Sequence, residues 1–186
     1  MATADAAPPQ VTPAAPLDSD GLYEIVNGER RDVPRMGALA GLFATYLAGS
    51  LTRFGTENKL GLTGMEILFR LAPHLSRRPD VAFVAYDRLG AAVSLRDDPS
   101  PWGAVPNLAV EVISPTNLAE EMEDRILEYL AAGVQLVWVV YPRHRQTYVY
   151  ESPTRVRVLA ESDELEGGTV LPGYNQSIAA LFAYVS

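Results

Sequence analysis

A chain of 186 residues, 48% hydrophobic and 20% charged, holds enough apolar mass for one well-packed domain. It has no cysteine and two histidines, His74 and His144, which excludes a disulfide frame and a thiolate zinc site and argues against a histidine metal cluster. The net charge of −8 argues against strong non-specific binding to nucleic acid, which needs clustered Lys and Arg on phosphate, but leaves room for local basic patches or a bound divalent cation.

Residues 1–19 are dominated by Ala and Pro and are too poor in large apolar side chains to build a core, so they read as a flexible arm before a single domain at 20–186. Leu22 to Val26 predicts a short strand, and Asn27-Gly28 after it is a strong hairpin signal. From Arg35 to Phe54, apolar residues recur at steps of three and four, which predicts a helix with Gly55 as its stop. Met65–Leu71 predicts a strand. Asp80–Tyr86 is a near-continuous apolar run and predicts a central strand covered on both faces. The polar stretch 87–106 predicts a loop, and Leu108–Ser114 another buried strand. A helix is expected over 117–132, with Asn117 and Glu120 at capping-box spacing and Gly133 as its end. Gln135–Tyr141 is the next strand, closed by Pro142; a strand-rich tail and a short helix near 178–184 complete the chain. Strand, helix and strand around Glu111 to Tyr141 imply a crossover and a parallel pair, hence an α/β fold with a mixed sheet flanked by helices.

Basic residues cluster at Arg30, Arg31 and Arg35, at Arg77 and Arg78, and at Arg143 and Arg145; the favoured reading is solvated surface charge. No run of about twenty apolar residues is present, so no membrane span is expected. No basic-then-apolar signal opens the chain, and the lack of cysteine suits a reducing, cytoplasmic setting.

Two acids interrupt apolar strands. Asp80 opens one directly after Pro79, and Glu111 lies between Val110 and Val112 in another. A carboxylate in a buried strand is costly unless it is paired or binds a cation. If the two strands are neighbours, the acids converge at one end of the sheet, where two hard oxygen donors with water suit Mg²⁺ or Mn²⁺. The competing reading has Glu111 facing outward or paired with an arginine. On a helical wheel at about 100° per residue, Arg125 falls beside the stripe of Leu118, Met122, Ile126 and Tyr129, apart from the acids Glu120, Glu123, Asp124 and Glu128. Such a cation either meets an anion, with Glu111 as the candidate, or snorkels outward along its stem.

The segments RRPDVAFV at 77–84, PNLAVEVISPTN at 106–117 and EDRILEYLAAGVQLVWVVYP at 123–142, with LYEIVNGE at 22–29 and VLPGYNQSIAALF at 170–182, resemble the Uma-two-type family of proposed restriction endonucleases. That family lies within the PD-(D/E)XK nuclease superfamily, and the resemblance implies its core: a helix, a three-stranded meander, a helix and a further strand. It implies Asp80 and Glu111 as metal ligands with the backbone carbonyl of Val112, and Glu24, an acidic residue near the same site, as an outer or second metal ligand, against its reading as a surface acid. The superfamily lysine would stand two residues after Glu111, where this chain has Ile113. The family commonly supplies a lysine from the next helix, and Arg125 holds the matching position. Arginine stays protonated, so Arg125 suits phosphate binding rather than proton abstraction. A histidine that family members often carry near 35–38 is absent.

The leading expectation from this resemblance is a divalent-metal-dependent DNA endonuclease, with DNA as partner and a homodimer plausible because duplex cutting needs two sites. The alternative is a degenerate nuclease fold serving binding or assembly; a phosphatase or other metallohydrolase has less support.

Overall fold

The computed structural model describes residues 21–89, 100–115 and 118–185. Strands β1 (Tyr23–Val26) and β2 (Glu29–Asp32) form the expected hairpin, with Asn27 and Gly28 both at positive φ, 55° and 80°, as a tight two-residue turn requires. Helix α1 (Ala38–Glu57) buries one stripe from Ala40 to Gly55. It starts three residues later than expected, and Gly55 does not stop it. A Cβ at Gly55 would meet Phe83 Cε2 at 3.0 Å, so this glycine lets the helix lie close on the sheet. The end comes at Asn58, whose backbone and side-chain N–H groups both donate to the Phe54 carbonyl.

The expected strand Met65–Leu71 is two strands, β3 (Gly61–Met65) and β4 (Phe69–Ala72). Glu66 at φ 49° turns the chain out of one sheet and into another, which hydropathy alone does not signal. Next come β5 (Leu75–Arg77) and β6 (Val81–Ala85), then α2 (Tyr86–Leu89), a helical turn where loop is expected; residues 90–99 of that loop lie outside the described residues. Strand β7 (Leu108–Val112), helix α3 (Ala119–Ala131) and strand β8 (Leu136–Tyr141) follow as expected. The N-cap of α3 is Leu118, without a side-chain hydrogen bond, rather than Asn117, which lies outside the described residues. Gly133 at φ 95° ends α3. Strands β9 (Gln146–Ser152), β10 (Arg155–Leu159), β11 (Glu164–Glu166) and β12 (Asn175–Ser177) and helix α4 (Ile178–Ala183) complete the chain.

The main sheet has six strands in the order β10-β9-β8-β7-β6-β3. All neighbours are antiparallel except β7 and β8, which α3 joins in a parallel crossover. The succession of α1, the meander β3-β6-β7, then α3 and β8 is the α/β order expected, with β4 and β5 inserted in the meander as part of a second sheet, β2-β1-β5-β4.

Alternation along the central strands sorts their side chains into two cores. Phe83, Leu108, Val110 and Trp138 pack with α1 and α4; Ala82, Ala109, Val137 and Val139 pack with α3. Glu111 lies two residues from Ala109, so it faces α3, a carboxylate on an otherwise apolar surface.

Candidate active site

Strands β6 and β7 are neighbours with Val81 opposite Val110. The antiparallel register therefore brings Asp80, at the mouth of β6, beside Glu111 and Val112. Asp80 Oδ2 accepts the Val112 N–H at 2.7 Å. Glu111 is buried, and its Oε1 accepts the Tyr129 hydroxyl at 2.7 Å and Arg125 Nη1 at 3.4 Å. Arg125 and Tyr129 stand one turn apart on α3, so one helix face presents both to the same carboxylate.

Glu24 enters from β1 and is 2% exposed. Arg125 grips it with both terminal nitrogens, Nη1 to Oε1 at 2.5 Å and Nη2 to Oε2 at 3.1 Å. Glu24 also accepts the Arg78 backbone N–H at 2.8 Å and Arg77 Nη1 at 2.8 Å. Four hydrogen bonds thus occupy its two oxygens, leaving no lone pair for a metal while they hold. Arg77 reaches on to Glu128 of α3 at 2.6 Å. The reading of Arg77 and Arg78 as solvated charge is thereby corrected. Arg77 is buried, and Arg78 donates to the carbonyls of Tyr23 and Glu66, because β5 pairs with β1 through Ser76 and Ile25 and brings Arg77, and Arg78 just after it, beside the strand that carries Glu24. Arg30, Arg31, Arg35 and Arg143 are exposed, as expected.

The electrostatics follow from burial set against these partners. Burial pushes the Glu111 carboxyl up to about 8, against the pull of Arg125 and the Tyr129 hydroxyl, with Asp80 adding to the rise. Burial pushes Asp80 up to about 6, opposed by the Val112 N–H and Arg125. Burial also acts on Glu24, but Arg125, the Arg78 N–H and Arg77 outweigh it and hold this carboxyl below its ordinary range. Desolvation disfavours the Arg125 cation, yet Glu111, Tyr129 and Glu24 keep it firmly protonated. The result is one ionised carboxylate locked to arginines beside two carboxyls that gain protons readily.

Glu111 Oε2 and Asp80 Oδ1 accept no hydrogen bond from the described residues. Two carboxylate oxygens fit a hard divalent cation that keeps several waters, as Mg²⁺ does. No group of three or more acid or histidine side chains suited to a metal occurs among the described residues, so any such ion would draw its remaining ligands from backbone, water or substrate.

Asp80, Glu111 and Arg125, singled out from the sequence, thus meet in one place, joined by Glu24. Tyr129, Arg77 and Glu128 belong to the same network and were not singled out. Tyr129 lies four residues after Arg125 on the same face, a signal available in the sequence; Arg77 showed only as part of a basic pair and Glu128 as one of several acids off the buried stripe of the helix, and neither pattern points to a partner. Ile113, at the position of the superfamily lysine, instead lines an apolar groove of about 340 Å³ between α3, β8 and β9, with Met122, Tyr141 and Tyr150.

A family model described as "Uma2: Putative restriction endonuclease" matches residues 12–180. Among solved structures, the chain is similar to one titled as a putative nuclease belonging to DUF820 from Anabaena variabilis. The TM-score is 0.76 at 16% identity, covering 89% of this chain and 92% of that one, a likeness of fold. No curated protein matches.

Proposed function

The chain belongs to the Uma2 family, and on that premise we propose that it is a divalent-metal-dependent endonuclease that hydrolyses phosphodiester bonds in DNA. The observation that carries this reading is the meeting of Asp80, Glu111 and Arg125 at one end of the sheet, with Arg125 held in place by Glu24. Asp80, Glu111 and the backbone carbonyl of Val112 would hold Mg²⁺ or Mn²⁺. When bound, the ion would lower the pKa of the attacking water and offset charge on the phosphate.

The chain's own residues do the positioning. Arg125 stays protonated, so it offers charge and hydrogen bonds to the scissile phosphate and takes no proton. Glu24 acts as the fork that fixes the guanidinium rather than as a metal ligand, since its oxygens are already filled. Tyr129 orients Glu111 by donating to Oε1, and Oε2 accepts no hydrogen bond from the described residues. Water attacks phosphorus and a P–O bond forms; the ester P–O bond breaks with its electron pair on the leaving oxygen, the proton lost by water passes to solvent, and solvent protonates the leaving oxygen. The further proposals are that residues 20–186 act as one domain with 1–19 as an appended arm, that the protein works in the cytoplasm, and that two copies act on a duplex. Among the described residues no helix is long and apolar enough to cross a membrane.

A second reading, a binding module without catalysis, is favoured by one observation: arginine at the position of the family lysine leaves no amine to serve as base. The test is cleavage of plasmid DNA with Mg²⁺ or Mn²⁺ by the wild type, Asp80→Ala and Glu111→Gln, with Mn²⁺ binding measured on the same proteins. Cleavage and binding by the wild type and neither by the variants is expected. Metal binding without cleavage on any DNA form would favour the second reading; absence of both would sink the first.

A further inference from the structure

Helix α1 carries two apolar stripes and buries one. The buried stripe faces the sheet and α4. The other, Leu39, Leu42, Tyr46 and Gly49, recurs at steps of three, four and three along the outward side, the spacing of a helix-packing seam. Leu39 and Leu42 are 48% and 47% exposed; Tyr184, in ring contact with Tyr46 at 4.8 Å, is 50% exposed. No charged residue occurs from Ala38 to Thr52, in a chain with 15 Lys and Arg and 23 Asp and Glu. A solvated helix ordinarily puts charge on its outer face, so four turns without any mark a surface built to be covered.

We propose that this face binds the same face of a second copy, helix against helix, antiparallel about a two-fold axis near Thr45 and Tyr46. Charge selects the occupant. Each chain carries −8, which opposes pairing of two copies at every face and opposes it least where the contact itself brings no like charges together, as here. The same surface offers an acidic or basic partner nothing to pair with. Size selects the direction. The N-terminal half of the seam is large, with Leu39 and Leu42; the C-terminal half is small, with Gly49 and Thr52. The antiparallel contact sets large against small twice over, as an isologous interface demands. A parallel contact would set Leu42 on Leu42 and Gly49 on Gly49, one crowded and one void. A Cβ built at Gly41 or Gly49 meets nothing within 4 Å in its own chain, so the space beside both is open to a neighbour.

Fifteen helical residues span about 22 Å, which makes a small interface and points to a dimer that dissociates at micromolar concentration. The seam lies on the side of the sheet opposite α3, which Glu111 faces, so the dimer contact does not cover that carboxylate. The proposal is independent of the phosphodiester chemistry.

The test is the mass of the full chain by sedimentation equilibrium and light scattering, over about 1–100 µM. The wild type should rise from 20.2 kDa toward twice that value. Leu42→Glu and Gly49→Glu should each weaken self-association at least about tenfold. Circular dichroism and melting should barely change, because a Cβ at Gly49 meets nothing within 4 Å and Leu42 is half exposed. The chain has no cysteine, so single-cysteine variants report the direction. Thr45→Cys should form an interchain disulfide on mild oxidation. Gly49→Cys should do so when mixed with Leu42→Cys and not with itself. A monomer at every concentration, a dimer untouched by both glutamates, or self-cross-linking of Gly49→Cys would each overturn the proposal.

Discussion

At the residue scale, the site turns on one arginine shared between two buried acids. Removing a partner from a buried ion pair leaves an uncompensated charge and costs about 3–5 kcal/mol. Arg125→Ala should therefore lower stability by about 3 kcal/mol in urea unfolding and abolish any metal-dependent cleavage. Arg125→Lys keeps the charge but not the two-pronged grip on Glu24, so it should lose about 1 kcal/mol while retaining or raising cleavage, since a partly buried lysine can also release a proton. Equal cleavage by all three proteins at equal folding would remove Arg125 from the chemistry. The acids make a second prediction, for the metal-free protein. Glu111 and Asp80 have folded-state pKa values raised to about 8 and about 6. A group with a raised folded pKa contributes stability that is fully present below its unfolded value and is lost as pH rises through the folded one. Stability should thus fall between about pH 5 and 8.5, and the urea midpoint at pH 8.5 should lie below that at pH 5.5. Glu111→Gln, which does not titrate, should flatten that slope. A profile that rises across the window, or that Glu111→Gln leaves unchanged, would show that Glu111 is ionised throughout.

At the scale of elements, the strands and helices were largely legible because burial on both faces leaves near-continuous apolar runs and burial on one face leaves a helical stripe. Misreadings arose where the backbone changes direction for reasons outside hydropathy. Glu66, at positive φ, splits one expected strand into two that join different sheets. Gly55 looks like a stop and instead serves close packing of α1 against Phe83. Gly55→Val should overpack this contact and cost about 1–3 kcal/mol, seen as a fall in melting temperature with little loss of helical signal. Were Gly55 merely the end of the helix, the variant would melt like the wild type.

At the scale of the whole molecule, residues 1–19 hold too little apolar surface to offset the entropy of ordering them. Their deletion should leave the melting temperature nearly unchanged; a drop of about ten degrees would show that they pack on the domain. The sequence by itself determined the α/β class, the parallel crossover around α3 and the place of two acids in apolar strands, because each leaves a local mark: a period, or a carboxylate beside a run of apolar residues. It also placed Arg125 beside the buried stripe, since helix periodicity is local. Only the tertiary structure decided what these charges meet. Glu24, Arg77 and Arg125 come together from two neighbouring strands of the second sheet and a helix, with Glu24 and Arg125 101 positions apart in the chain. Whether a charged side chain stands in water or in such a network depends on which distant strand lies against it, and a partner that remote leaves no periodic trace in the chain.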